Sequence, residues 1–402
     1  MRKIITFLKD PCNFYITIAF MYRFQGTLFP AAGIISRSFL LLTFLLSIYY
    51  TFKVNRTCRL NTYMKGLNLL VLFFTVTGIF YLLFDNDVND ANLHLSRYTY
   101  LVNNLTSLLP VYPLYLFCIQ GKLTKEKLAK WFWPFLVCVI CRFYYELQVA
   151  LDKMMDYTGG DVEETTNNGG YIVCSLLPLV FFINKNKLLQ YTSLTVLLIF
   201  VVMAMKRGAI LIALLCVVWF LLRNKDDIKR INKGYLTMLA CGAFGAVYKV
   251  VDYMLNNSAF FQMRIENTLE GKTSGRDDLY GTALNIFLEK FGLTDFLFGM
   301  GPNSTYTLIG NRAHNDWLEL ALNHGLLGIT IYFIYWVGLF SIWRKCRHDH
   351  LVFSALGMFI LIFFLKTFIS MSYDAMELYS SAVLAWCMAQ YDFKYRRINI
   401  RR

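Results

Sequence analysis

Three short segments carry side chains suited to chemistry. Lys206-Arg207-Gly208 sets a basic pair in a tight turn between two very apolar runs. A cation that slips inward there costs about 2.5–3.5 kcal/mol at a helix centre. The pair therefore either snorkels to lipid headgroups or binds an anion. Ser274-Gly275-Arg276 puts a guanidinium where a helical pattern begins, and the N–H groups of a helix N-terminus favour anions as well. A plain surface arginine beside a cap is the alternative. The third segment is Ala313-His314-Asn315-Asp316-Trp317-Leu318-Glu319, followed by Gly325 and Gly328. His314 is one of five histidines and a natural proton acceptor near neutral pH; a histidine bonded to an interfacial headgroup is the other reading. Glu319 reads either as an orienting partner of His314 or as a partner for Arg312.

The elements that position these residues follow from hydropathy. The chain is 57% hydrophobic and 16% charged over 402 residues, with a mean hydropathy of +0.45. That is too apolar for a soluble globular class. Apolar runs such as Ser38–Phe52, Gly66–Phe84, Leu188–Met205, Ala209–Leu222, Leu326–Trp343 and Leu351–Leu365 approach the length that spans about 30 Å of hydrocarbon. The expected fold is all-α and polytopic, one membrane domain over residues 1–402 with about a dozen crossings. No cleavable signal peptide is expected, since Met1–Asp10 lacks a small-residue cleavage site after an apolar core.

The net charge of +14 is an orientation signal rather than a nucleic-acid footprint. Most basic residues fall in every second connection, for example Lys53/Arg56/Arg59/Lys65, Lys122/Lys125/Lys127/Lys130 and Arg223/Lys225/Lys229/Arg230/Lys233. The positive-inside rule places these connections and both termini in the cytoplasm. The intervening loops are acidic or neutral, as in Leu151–Gly169. None of the ten cysteines falls in an expected outer loop, and the CxxC of Cys138 and Cys141 lies within an apolar run, where it reads as packing. One connection, residues 256–323, is long for a compact membrane protein and faces outward. Tyr280, Ala283, Leu284, Phe287 and Phe291 recur there at helical spacing, opened by a capping box at Ser274–Asp277. The sequence Phe298–Asn303 reads as a turn, and His314–Leu327 as a helix entering the next span. His324 reads as an interface marker. Lys366, within an apolar run, is expected to pair with Asp374 or Glu377.

Taken in order, the Arg-Gly at a span end, the Gly-Arg opening a loop helix, the turn "FLFGMGPN" and "HNDWLELALNHGLLG" resemble the O-antigen ligase and O-antigen polymerase superfamily of bacterial membrane glycosyltransferases. The resemblance is carried by residues 205–343. It implies transfer of a glycan from undecaprenyl diphosphate at the outer, periplasmic face of the bacterial inner membrane, with no cofactor, nucleotide sugar or metal. By the same resemblance, Arg207 and Arg276 match the essential arginines and His314 the essential histidine. Lys206, Arg264, Arg312, Asn315 and Glu319 are placed with substrate binding. Lys206 departs from the pattern, which has a small polar residue there. The implied partners are a lipid-linked oligosaccharide, an acceptor glycan or lipid, membrane lipids and a chain-length regulator, with no nucleic acid.

The chemistry suits these residue types. A glycosyl diphosphate leaves with negative charge, which arginine forks hold bidentately at any relevant pH. The acceptor hydroxyl must lose a proton, which His314 can take. Polymerization of repeat units is the expected activity. The rivals are ligation to lipid A-core and, in a different class, a transporter or flippase for lipid-linked sugars or small anions. A transporter is expected to show symmetry-related spans with helices broken at the midplane.

Overall fold

The computed structural model describes residues 7–28, 33–84, 91–155, 169–183, 185–204, 206–225, 276–373 and 376–396, with isolated residues between 234 and 256. Their regular elements are helices, and no strand occurs among them. Arg264, Ser274, Gly275 and Asp374 lie outside the described residues.

Five helical stretches among the described residues have the length and composition to cross a bilayer: Arg37–Thr57, Thr62–Phe84, Arg97–Ile119, Asp316–His348 and His350–Ile369. The run expected over Leu188–Met205 forms a helix of 17 residues, Lys187–Met203, about 26 Å long at 1.5 Å per residue. It falls just short of the hydrocarbon thickness.

The chain groups into two compact units. The first holds residues 1–128 and 279–402. Its helices are α1 (Pro11–Leu28), α2 (Ile34–Thr57), α3 (Thr62–Phe84), α4 (Ala91–Leu108) and α5 (Val111–Ile119). The second holds residues 129–278, with most of α6 (Lys125–Met155), then α7 (Gly169–Cys174), α8 (Lys187–Met203) and α9 (Arg207–Arg223). The chain re-enters the first unit within α10 (Arg276–Asn285) and continues through α11 (Leu293–Phe298), α12 (Thr305–Ile309), α13 (Asp316–Lys345), α14 (His350–Ile369) and α15 (Leu378–Tyr395).

In the first unit, α13 packs along α3, and α15 along α5. Small residues allow the first approach: a Cβ on Gly66 would come within 3.2 Å of the Tyr335 Cα, and one on Gly338 within 3.2 Å of the Tyr63 Cα. Polar groups inside these apolar helices are satisfied locally, since lipid offers no partner. Thr75 and Thr77 donate to the carbonyls of Val71 and Phe73 one turn earlier. Helix starts are capped where the sequence provides an acceptor: Asp349 takes the Val352 N–H and Asn186 the Leu189 N–H. Near the other end of α3, buried Asp392 of α15 accepts from Asn61 at 2.8 Å, Tyr115 at 2.6 Å and Arg396 at 3.0 Å.

All ten cysteines are free thiols. Cys138 is half-buried, but Cys141 is exposed on α6, so it contributes less packing than its apolar setting suggests. Lys366 is buried as expected of an intramembrane cation, while Glu377 lies 3.9 Å from the Arg23 guanidinium.

Candidate functional site

Helix α13 is broken. Gly325 sits at φ 61°, ψ −161°, so Asp316–His324 and Leu326–Lys345 are two helical segments meeting at a kink. The break frees carbonyls that an unbroken helix would occupy. The turn at Phe298–Asn303 fills them: the Met300 N–H donates to Leu322 O and the Gly301 N–H to Asn323 O, both at 3.0 Å. Backbone lies against backbone here. A Cβ on Gly299 would stand 2.3 Å from the His324 nitrogen, and one on Gly325 2.5 Å from the Leu297 carbonyl carbon. Only glycine fits such contacts at positive φ.

The short segment Asp316–His324 is the platform for the site. Its N-cap is Asn315, whose side-chain oxygen accepts the N–H groups of Trp317 at 2.9 Å and Leu318 at 3.3 Å. Ala321 and Leu322 bury against Ala283, Ile286 and Phe287, so α10 and the π-helical turn after it (Ile286–Lys290) dock on its apolar side. The expected amphipathic helix is therefore present but shorter. Leu284 points outward at 46% exposure, and Phe291 lies beyond the turn, edge-on to Phe287. The Phe287 ring stacks on Phe296 of α11 at 4.8 Å.

His314 immediately precedes this platform and is half-buried, with φ at +51°. Left-handed backbone at a residue bearing a Cβ persists only where neighbours impose it, and such strain concentrates at functional sites. The imposing contacts flank the residue on both sides. Glu319, 1% exposed, accepts the Ala313 N–H at 2.7 Å, one residue before His314. The Tyr280 hydroxyl of α10 lies 3.4 Å from the His314 carbonyl and 3.2 Å from the Phe368 carbonyl, which share its single proton. Asn315 is fixed as the cap.

Glu319 thus acts on the backbone beside His314, and its carboxylate is further surrounded by donors. The Thr305 hydroxyl lies at 2.8 Å and the Asn323 amide at 3.2 Å. Asn323 in turn receives the Thr305 N–H at 3.1 Å and stands 3.0 Å from the Ser304 hydroxyl. The network ties the segment leaving the glycine turn to the platform. Asp316, also fully buried, accepts from Tyr332 at 2.6 Å and from the Ser372 N–H at 2.8 Å, fixing the start of α13 against its own second half and the loop after α14.

His324 is the clear departure from expectation. It does not face a headgroup but is fully buried, ringed by Phe73, Phe74 and Tyr100, with the Tyr100 hydroxyl 3.3 Å from Nε2. The break one residue later turns it into the protein. Arg312 is half-buried with Nη1 3.6 Å from the Met371 sulfur. Arg97, which the sequence did not single out, is 6% exposed and stacks over Tyr81 at 5.3 Å. The Tyr81 hydroxyl donates to Gly299 O at 3.1 Å.

In the second unit, Lys206 is the extended N-cap of α9 and Arg207 its first residue. The turn is held by α7: a Cβ on Gly170 would meet the Cβ atoms of Ala204 and Ala209 at 3.0 Å. Arg207 is exposed and Lys206 half-buried. Arg276 is half-buried at the first position of α10, one helical turn before Tyr280.

The stretch from α8 through the platform helix to Phe333, residues 192–333, matches a family model described as O-antigen ligase. Residues 192–333 are an O-antigen ligase family domain. A comparison with curated proteins found no match. The O-antigen ligase domain contains Arg207, Arg276, His314 and Glu319, together with the glycine turn and the break at Gly325. Its family comprises membrane enzymes of surface-polysaccharide assembly, acting on lipid-linked glycans. The long apolar helices agree with a multi-pass membrane protein.

Proposed function

We propose that the protein polymerizes lipid-linked surface-polysaccharide repeat units at the periplasmic face of the bacterial inner membrane. In this reading it crosses about a dozen times, with both termini cytoplasmic. The acceptor sugar hydroxyl attacks the anomeric carbon of a glycan on undecaprenyl diphosphate. The new C–O bond forms as the bond to the diphosphate breaks, with inversion, and the hydroxyl proton passes to His314. Arg207 and Arg276 hold the departing diphosphate and replace the charge stabilisation a metal supplies elsewhere. Lys206, Arg264, Arg312 and Asn315 contribute to substrate binding, and Glu319 positions His314.

The observation that carries this reading is the imposed left-handed backbone at His314, inside the family domain, beside a capped helix N-terminus. Neither packing nor membrane orientation requires an imidazole held that way. One observation favours the transporter class, the broken helix at Gly325. Against it, the carbonyls of Leu322 and Asn323 at that break already accept the N–H groups of the glycine turn.

The deciding experiment is transfer by purified protein from a lipid-linked oligosaccharide. His314→Gln should lower turnover by about 10²–10⁴-fold, with chelator leaving the wild type active. A His314→Gln protein that still builds long chains removes the base role. Offering lipid A-core beside lipid-linked repeat units as acceptors separates ligase from polymerase.

A further inference from the structure

The first unit contains a groove lined by none of the residues assigned above to the transfer reaction. Helices α2, α3 and α4 flank an open groove of about 1200 Å³. The middle of the wall is apolar, with Leu41, Phe44, Leu72, Ile79, Leu101 and Leu105. The two ends differ. At one end Asn55, Asn68 and Tyr112 form a hydrogen-bonded cluster, the Asn68 amide donating to Asn55 and the Tyr112 hydroxyl to Asn68. At the other stands Arg37, exposed, with no carboxylate against it among the described residues. That end of α3 is also where Tyr81 reaches the glycine turn at Gly299.

Length and charge select the occupant. The helical rise from Arg37 to Asn55 is about 27 Å, close to the roughly 30 Å of a whole hydrocarbon layer. An acyl chain whose headgroup sits at Arg37 ends near the midplane, about 15 Å in, and leaves the Asn55 half unfilled. A chain that fills the groove must outreach one leaflet. Its headgroup must be anionic, because a guanidinium at the mouth of an apolar channel is matched by phosphate. We propose that the groove between α2, α3 and α4 holds the tail of a long-chain polyprenyl phosphate, with the phosphate at Arg37. The inference rests on the reading of the protein as an enzyme of polyprenyl-linked glycans, and it adds a second lipid position beyond the His314 site.

Photolabelling of the full chain in nanodiscs, with photoreactive undecaprenyl phosphate as the probe, tests this. Label is expected on peptides of α2 and α3. Leu72→Trp, which fills the channel, should abolish it. Arg37→Gln, a surface change with little folding risk, should weaken competition by undecaprenyl phosphate about tenfold, the loss of one charge-assisted hydrogen bond. A ten-carbon isoprenoid phosphate should compete poorly. Equal displacement by phosphatidylglycerol, or undiminished groove labelling in both variants, overturns the proposal. Transfer activity without groove labelling sinks the groove alone. Groove labelling in a protein that shows no transfer sinks the proposed function while the site stands.

Discussion

Replacing Glu319 by glutamine tests whether the backbone at His314 is held for a purpose. The carboxylate receives the Ala313 N–H, the Thr305 hydroxyl and the Asn323 amide, and a charge-assisted bond of this kind contributes about 1.5–3 kcal/mol. A glutamine keeps one acceptor oxygen. If that oxygen faces Ala313, its amide confronts the Asn323 amide donor, and orphaning a buried donor costs about 1–3 kcal/mol. If it faces Asn323, Ala313 is released. The left-handed conformation of His314 itself costs roughly 1–3 kcal/mol, so losing its tether lets the residue relax. A shift of about 2 kcal/mol changes the ratio of competent to relaxed molecules about thirtyfold. Turnover should therefore fall, by up to about thirtyfold, with the donor KM nearly unchanged. The shape of the pH–rate profile should persist, because Glu319 positions the residue that moves the proton. Steady-state transfer assays across pH, with unfolding temperatures in detergent, give all three readouts. His314→Gly, which removes the strain, should unfold at a higher temperature while losing transfer. Unchanged turnover in Glu319→Gln, or a lost ionisation in its pH profile, refutes the positioning role.

Arg207→Lys and Arg276→Lys keep charge but lose the fork, so each should lower transfer by about tenfold or more at normal membrane abundance. Wild-type transfer by both would reduce the arginines to headgroup anchors. Gly325→Ala forces a Cβ to 2.5 Å from the Leu297 carbonyl carbon at positive φ. It should destabilise by more than about 3 kcal/mol, seen as lost accumulation or a lowered unfolding temperature, and a normal melt would contradict the docked turn. On a background without native cysteines, Thr166→Cys should react with an impermeant thiol reagent from outside and Lys225→Cys should not. The reverse pattern would invert the orientation.

The sequence exposed the helices and the chemistry-bearing residues better than the joints between them. Apolar runs are local signals, so α3 and α14 could be read directly, whereas the helix expected from His314 starts at Asp316 behind a cap at Asn315. The break at Gly325 could not be read, because Leu318, Ala321, Leu322 and Leu326 keep helical spacing straight through it. Its only trace is glycine on both sides of the contact, Gly299 and Gly301 against Gly325. The burial of His324 follows from that break and from rings on α3 and α4, distant in sequence. Glu319 could not be resolved between His314 and Arg312 because its decisive partner is the backbone N–H of Ala313, which no side-chain pattern announces. Asn323, one turn after Glu319 on the same face, was the readable clue to a buried polar network. Arg97 went unremarked because a single cation near a span end looks like any snorkelling residue. The groove's length, likewise, appears only once α2 and α3 are seen side by side.

The Asp392 cluster constrains when the molecule can be completed during synthesis. Asn61 and Tyr115 are made early, yet the carboxylate they bind lies 331 and 277 residues further along the chain. At ribosomal rates of about 5–20 residues per second, the wait is on the order of half a minute. Until α15 arrives, α5 lacks the helix that covers it and a buried amide and phenol lack their acceptor. A ribosome stalled before Leu378 would thus leave an inserted but unclosed bundle with an amide and a phenol still unpaired at one end, the kind of lesion that quality control can recognise. Arrival of one aspartate, rather than insertion of the spans before it, marks the moment the nascent chain becomes a finished protein.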